Sequence, residues 1–114
     1  MAPTVTEDDL DGLSKRLTFP DDTVIRVFVL RTDDSAYPSG WAYTLHYGSL
    51  QSDPPRTLSD GTIRRYDNAH EDTKGHELHL APDPEPKSIR FPGMVALWRR
   101  FWLEVPKVEF EVDV

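Results

Sequence analysis

Residues 23–31, Thr-Val-Ile-Arg-Val-Phe-Val-Leu-Arg, decide the fold class. The run is β-branched and apolar on both faces, which predicts a strand near the middle of a sheet. Asp33-Asp34-Ser35 breaks it. Residues 41–47, Trp-Ala-Tyr-Thr-Leu-His-Tyr, then alternate with period 2. Trp41, Tyr43, Leu45 and Tyr47 share one face, and Ala42, Thr44 and His46 the other. A turn-rich connection over residues 48–61 follows. Residues 62–67 predict a third strand and residues 76–80 a fourth, flanking a loop over residues 68–75. A proline-rich stretch over residues 81–87 comes next.

Two helices complete the frame. Thr6 and the acids after it predict an N-terminal helix over residues 6–17, with Leu10, Leu13 and Leu17 at helical spacing. Met94, Leu97, Trp98, Phe101, Trp102 and Val105 form an apolar helical stripe, opened by Pro92 or Gly93 and stopped by Pro106. Residues 108–114 alternate again and predict a last strand with an acidic outer face. The fold class is therefore α+β: an antiparallel sheet of about five strands, with one N-terminal and one C-terminal helix packed on one face. At 114 residues the chain is expected to be a single domain over residues 1–114. An edge position for the last strand would permit strand pairing with a partner, including a second copy as a homodimer.

Composition narrows the chemistry. Without cysteine, disulfides, thiolate nucleophiles and cysteine zinc sites are excluded. No leader pattern or membrane-length apolar run is present, so a cytoplasmic location is expected. Acids outnumber bases 20 to 13, a net charge of −7. The acids are mostly Asp and the bases mostly Arg, which predicts a halophilic surface adapted to high salt. Residues 62–102 alone are not acidic, so a polyanion is expected to bind there.

That segment also holds the functional cluster. His70, His76 and His79 fall within ten residues, beside Arg64, Arg65, Tyr66, Asp67 and Asn68. Histidine exchanges protons near neutral pH, and arginine grips phosphate through a planar fork. Together they are the minimal kit for cutting RNA without a metal. One group takes the 2′-OH proton, another protonates the leaving 5′-oxygen, and a guanidinium steadies the transition state.

The run Arg64-Arg65-Tyr66-Asp67-Asn68-Ala69-His70, with His76 and His79 after it, resembles the TumE-type toxin family. That family carries an Arg-Tyr-Asp-Asn-type motif followed by a His-rich segment. The likeness runs over residues 23–105 and is distinctive from Arg65 to His79, with a different histidine spacing. It implies an RNA-degrading activity and a helix-turn-helix antitoxin as partner. It carries over onto Arg65, Tyr66, Asp67, Asn68, His70, His76 and His79.

The expected roles follow. His70 and His79 transfer protons, Arg65 holds phosphate, and Tyr66 and Asp67 support them, with His76 as a further catalytic candidate. Arg64, Asn68 and His46 are candidate substrate contacts. Strand parity sets Arg64 with Tyr66 on one face, and Arg65 with Ile63 and Asp67 on the other. It also separates His79 from His76, which points inward with Leu78 and Leu80. His46 joins the cluster if its strand neighbours residues 62–67. No cofactor is expected. The rival readings are a non-enzymatic binding module for protein or nucleic acid, and a metal site built from His70, His76 and His79 with Asp67 or Glu77.

Overall fold

The computed structural model describes residues 5–107. Its spine is an antiparallel meander of six strands in the order β1-β2-β3-β4-β5-β6. These are β1 (Leu13–Thr18), β2 (Thr23–Arg31), β3 (Trp41–Ser49), β4 (Thr62–Asp67), β5 (His76–Leu80) and β6 (Lys87–Ile89). The helices are α1 (Glu7–Leu10), α2 (Glu71–Lys74) and α3 (Met94–Glu104). The α+β class holds, and α1 and α3 contact one another on the same side of the sheet. The expected strand over residues 108–114 lies outside the described residues.

The N-terminal helix is shorter than predicted. Thr6 and Asp9 form the capping box that starts it, but it stops at Leu10. Gly12 then adopts φ +84°, a left-handed conformation that glycine takes without a Cβ clash. Its N–H bonds Val29 O at 2.9 Å, starting β1 instead. The leucine spacing misled because Leu13 and Leu17 fit period 2 as well as 3.6. In β1, Leu13, Lys15 and Leu17 face inward and Ser14, Arg16 and Thr18 outward. The proline-rich stretch ends in the three-residue β6, whose Ile89 pairs with His76.

The core lies between the sheet and α3. Ile25, Val27 and Val29 of β2, Tyr43, Leu45 and Tyr47 of β3, Tyr66 of β4 and Leu78 of β5 meet Met94, Leu97, Trp98, Phe101 and Trp102. Burying each such side chain contributes about 1.5–3 kcal/mol. The molecule measures 19 Å along its shortest axis, which fits one sheet and one helical layer about 10 Å apart. Among the described residues, no helix packs on the other face. Residues 23–31 form an interior strand between β1 and β3, as predicted, but one of its faces is open: Phe28 and Leu30 are 42% and 41% exposed, and Arg26 beside them is exposed too.

Candidate active site on the open face of the sheet

Strand register builds the site. Arg16 pairs with Arg26, Arg26 with His46, His46 with Arg65, and Arg65 with His79. Directly opposed residues in neighbouring strands share a face. Five strands thus present one unbroken row of three arginines and two histidines. The row crosses four inter-strand steps of roughly 4.8 Å, about 19 Å in all. His46 reaches the cluster because β3 and β4 are neighbours.

At the β4–β5 end the row is organised by Asp67, which is 8% exposed. Its Oδ2 accepts from Arg65 Nε at 2.9 Å and lies 3.2 Å from His79 Nε2. Asp60 Oδ2 accepts from the other end of the same guanidinium, at 3.3 Å. Arg65 is thereby fixed at two points. A His79 that donates from Nε2 keeps its ring oriented by the carboxylate. A cleft of about 500 Å³ opens over Arg65 and His79. Its walls are Pro54 and Pro55 from the β3–β4 connection and Pro82 and Pro84 from the β5–β6 connection, residues that hold φ rigidly.

His46 stands on the other side of Arg65 and is 9% exposed. Its Nε2 lies 3.2 Å from Thr62 Oγ1, and its buried Nδ1 has no hydrogen-bond partner among the described residues. Such an atom is uncommon in folded proteins. Gly48 makes room for the ring, since a Cβ there would fall 2.9 Å from His46 Nε2. Burial, then the nearby Arg26 and Arg65, push the imidazole from its ordinary 6.5 down to about 4. It is therefore neutral at physiological pH.

This depression has a stability consequence with a definite sign. Above pH 6.5 the ring is neutral in folded and unfolded chains alike. Between pH 6.5 and 4 the unfolded chain takes up a proton that the folded one refuses, so stability falls. Below pH 4 both forms bind it and the loss levels off. A displacement of this size is worth up to about 3 kcal/mol. His76, also lowered by burial although Glu71 opposes this, acts in the same direction. Urea denaturation from pH 7 to 4 should show the decline, and His46→Asn should remove most of it. A variant as acid-labile as the wild type would refute this account.

The other candidates lie elsewhere. His76 is on the core face, as strand parity predicts. Its Nε2 lies 2.5 Å from Glu71 Oε1 and its Nδ1 2.7 Å from the Tyr43 hydroxyl. It stacks on Phe91 with centroids 4.5 Å apart. Glu71 Oε2 accepts from Ser39 N at 3.0 Å, so this relay ties the β2–β3 and β4–β5 connections together. Tyr66 is fully buried on that same face and bonds Glu104, which removes it from support of Arg65. Arg64 pairs with Glu104 Oε2 at 3.2 Å on the helix side, away from Arg65. A register irregularity between Tyr47 and Gly48 leaves Ile63 packed against the core, not beside Arg65 as alternation predicts.

Asn68 is 1% exposed and spends its amide on the backbone of β3. Its Oδ1 accepts from Tyr43 N at 3.0 Å and its Nδ2 donates to Trp41 O at 2.6 Å. Buried in this way, its amide is not open to a substrate. His70 caps α2 in a left-handed conformation, exposed and without a side-chain capping hydrogen bond. His70, His76 and His79 therefore do not converge, and the three-histidine metal site of the rival reading is not formed. Ligand atoms of Asp67, Glu77 and His79 do lie within 4.8 Å of one another. The Arg65 guanidinium, 2.9 Å from an Asp67 oxygen, sets a positive charge where a cation would sit and opposes it.

A sequence model of the family described as Toxin TumE matches residues 2–109. The chain belongs to the TumE toxin family. No curated protein and no solved structure matches it. Membership in the TumE family makes the chain a toxin and implies an antitoxin partner. No helix among the described residues is long and apolar enough to cross a membrane. Within this TumE chain, Arg16 and Arg26 join the row unforeseen. Arg26 had a signal: it is the one charged residue between Val24 and Leu30, so its face could not be core.

Proposed function

We propose that the chain is an endoribonuclease toxin that cuts RNA by metal-independent acid–base chemistry on the open face of the sheet. The observation that carries this reading is the placement of His46 and His79 on either side of Arg65 in one cross-strand row. In-line displacement at phosphorus needs a base on one side and an acid on the other, with positive charge between them.

The roles follow from each environment. Arg65 holds the non-bridging phosphate oxygens, exchanging its contact with the exposed Asp60 for the substrate. Neutral His46 accepts the 2′-OH proton, and the 2′-oxygen attacks phosphorus. An anionic phosphate between Arg26 and Arg65 offsets the share of the His46 depression that these cations cause, on top of that from burial, and raises its basicity. The bond from phosphorus to the 5′-oxygen breaks, and His79, steadied by Asp67, gives that oxygen a proton. The products are a 2′,3′-cyclic phosphate and a 5′-hydroxyl. His46 replaces His70 as the second proton-transfer group because His70 lies outside the row. We take the partner to be a helix-turn-helix antitoxin, as the resemblance implies.

Purified protein incubated with labelled RNA in EDTA, over a range of KCl concentrations, is expected to leave 2′,3′-cyclic phosphate ends. RNA with a 2′-deoxy sugar at the cut position should resist. No cutting at any salt, with or without divalent metal, would overturn the reading. RNA binding without cutting would favour the rival binding module.

A further inference from the structure

At the β1–β2 end of the open face the row leaves the proposed cutting site behind. Arg16 and Arg26 stand directly opposite each other. Like charges in that position repel, and neither has an ion pair among the described residues. Other cations of the chain are paired, among them Arg31 with Glu7 and Asp8, Arg56 with Asp53, Arg64 with Glu104 and Lys107 with Asp21; what sets Arg16 and Arg26 apart is that they face each other in register. In a chain of net charge −7, two adjacent guanidiniums with no carboxylate partner among the described residues are suited to an external anion.

An aromatic ring lies beside them. Phe28 is two residues from Arg26 on the same face of β2 and is 42% exposed. Its register partners are Ser14 and Thr44, short side chains that leave the ring uncovered. Arg16, Arg26, Phe28, Ser14 and Thr44 line one groove of about 450 Å³. Cations that track a backbone and an aromatic platform for a base are the two parts of a single-strand binding groove. The register continues from this groove through His46 to Arg65.

We propose that this groove is a nucleotide-binding subsite for single-stranded RNA: one base stacks on Phe28, Arg16 and Arg26 hold the flanking phosphates, and the strand runs across the sheet to Arg65. The inference rests on the RNA-cutting reading of the same face and extends it to the strand beyond the cut. The subsite is sequence-tolerant, because every base offers a π-face. It also sets positive charge locally on one face of a protein whose net charge is −7.

The test is equilibrium binding of a mixed-sequence 2′-O-methyl RNA 10-mer, which cannot be cut, followed by fluorescence anisotropy against KCl concentration. Phe28→Ala should weaken binding roughly tenfold with the salt slope unchanged. Arg16→Gln and Arg26→Gln should each weaken it and lower the slope by about 0.7. All three positions are exposed, and circular dichroism melts verify that each variant is folded. Wild-type affinity and slope in the folded variants would overturn the subsite and leave the face to a protein partner. The two readings fail separately. Protein that cuts RNA but binds this oligomer regardless of the three residues overturns only the subsite. Protein that binds through them and never cuts overturns only the nuclease.

Discussion

Replacing His79 with alanine is expected to slow RNA cleavage by roughly 10²–10⁴-fold while leaving the thermal midpoint near the wild-type value. The imidazole sits half-buried on the open face of β5, and its polar contact is with Asp67. Asp67 keeps its 2.9 Å bond to Arg65 Nε when the ring is gone, so no buried charge is stranded and the cost to folding is small. What is lost is the proton delivered to the leaving oxygen. His70→Ala supplies the contrast. That side chain is exposed and makes no capping hydrogen bond, so cleavage within about twofold of wild type is expected. His76→Ala should differ from both, because it breaks a buried relay with Glu71 and Tyr43 and lowers the melting temperature. Cleavage rates and melts on the three variants check this together. Undiminished cutting by His79→Ala, or a His70→Ala defect of equal size, would remove His79 from the chemistry.

The parts of this molecule that were legible in sequence are those where one periodicity excluded the other. β3 alternates without ambiguity, and α3 carries an eleven-residue stripe that fits only a helix. Parity alone separated Arg65 from Arg64 and His79 from His76, because a strand turns successive side chains to opposite faces. The failures have equally local causes. Leu10, Leu13 and Leu17 satisfied a helix until Gly12 turned the chain. β6 has three residues beside a proline-rich stretch, too few for any pattern. The site was half legible because its residues are neighbours across strands, not along the chain. Arg16, Arg26, His46, Arg65 and His79 span 64 positions of sequence yet form one row, and only the register of four strand pairs reveals it. Composition pointed at residues 62–102 as the non-acidic part, and so overlooked the two arginines contributed by the acidic half.

Asn68→Ala is expected to destabilise the fold by about 3 kcal/mol without touching the chemistry, although Asn68 stands in the motif that resembles the family's. β4 ends at Asp67, and the Asn68 side chain continues its pairing with β3 by imitating a peptide group. One end accepts from Tyr43 N and the other donates to Trp41 O. Alanine leaves the Tyr43 N–H unmatched and the Trp41 carbonyl with only the 3.4 Å bond from Ser39 Oγ, losses worth about 1–3 kcal/mol each. Asn68→Asp should be no milder, since it sets an oxygen against the Trp41 carbonyl. Urea denaturation reads the loss directly. Cleavage measured at a temperature where the variant is still folded should match wild type per folded molecule. This is the reverse of His79→Ala, which stays folded and does not cut. In cells both would score as a harmless toxin; only the pairing of a denaturation curve with a rate separates a residue that holds β3 to β4 from one that moves a proton. A folded, stable Asn68→Ala protein that had lost cleavage would return Asn68 to the substrate and overturn its assignment as a strand extension.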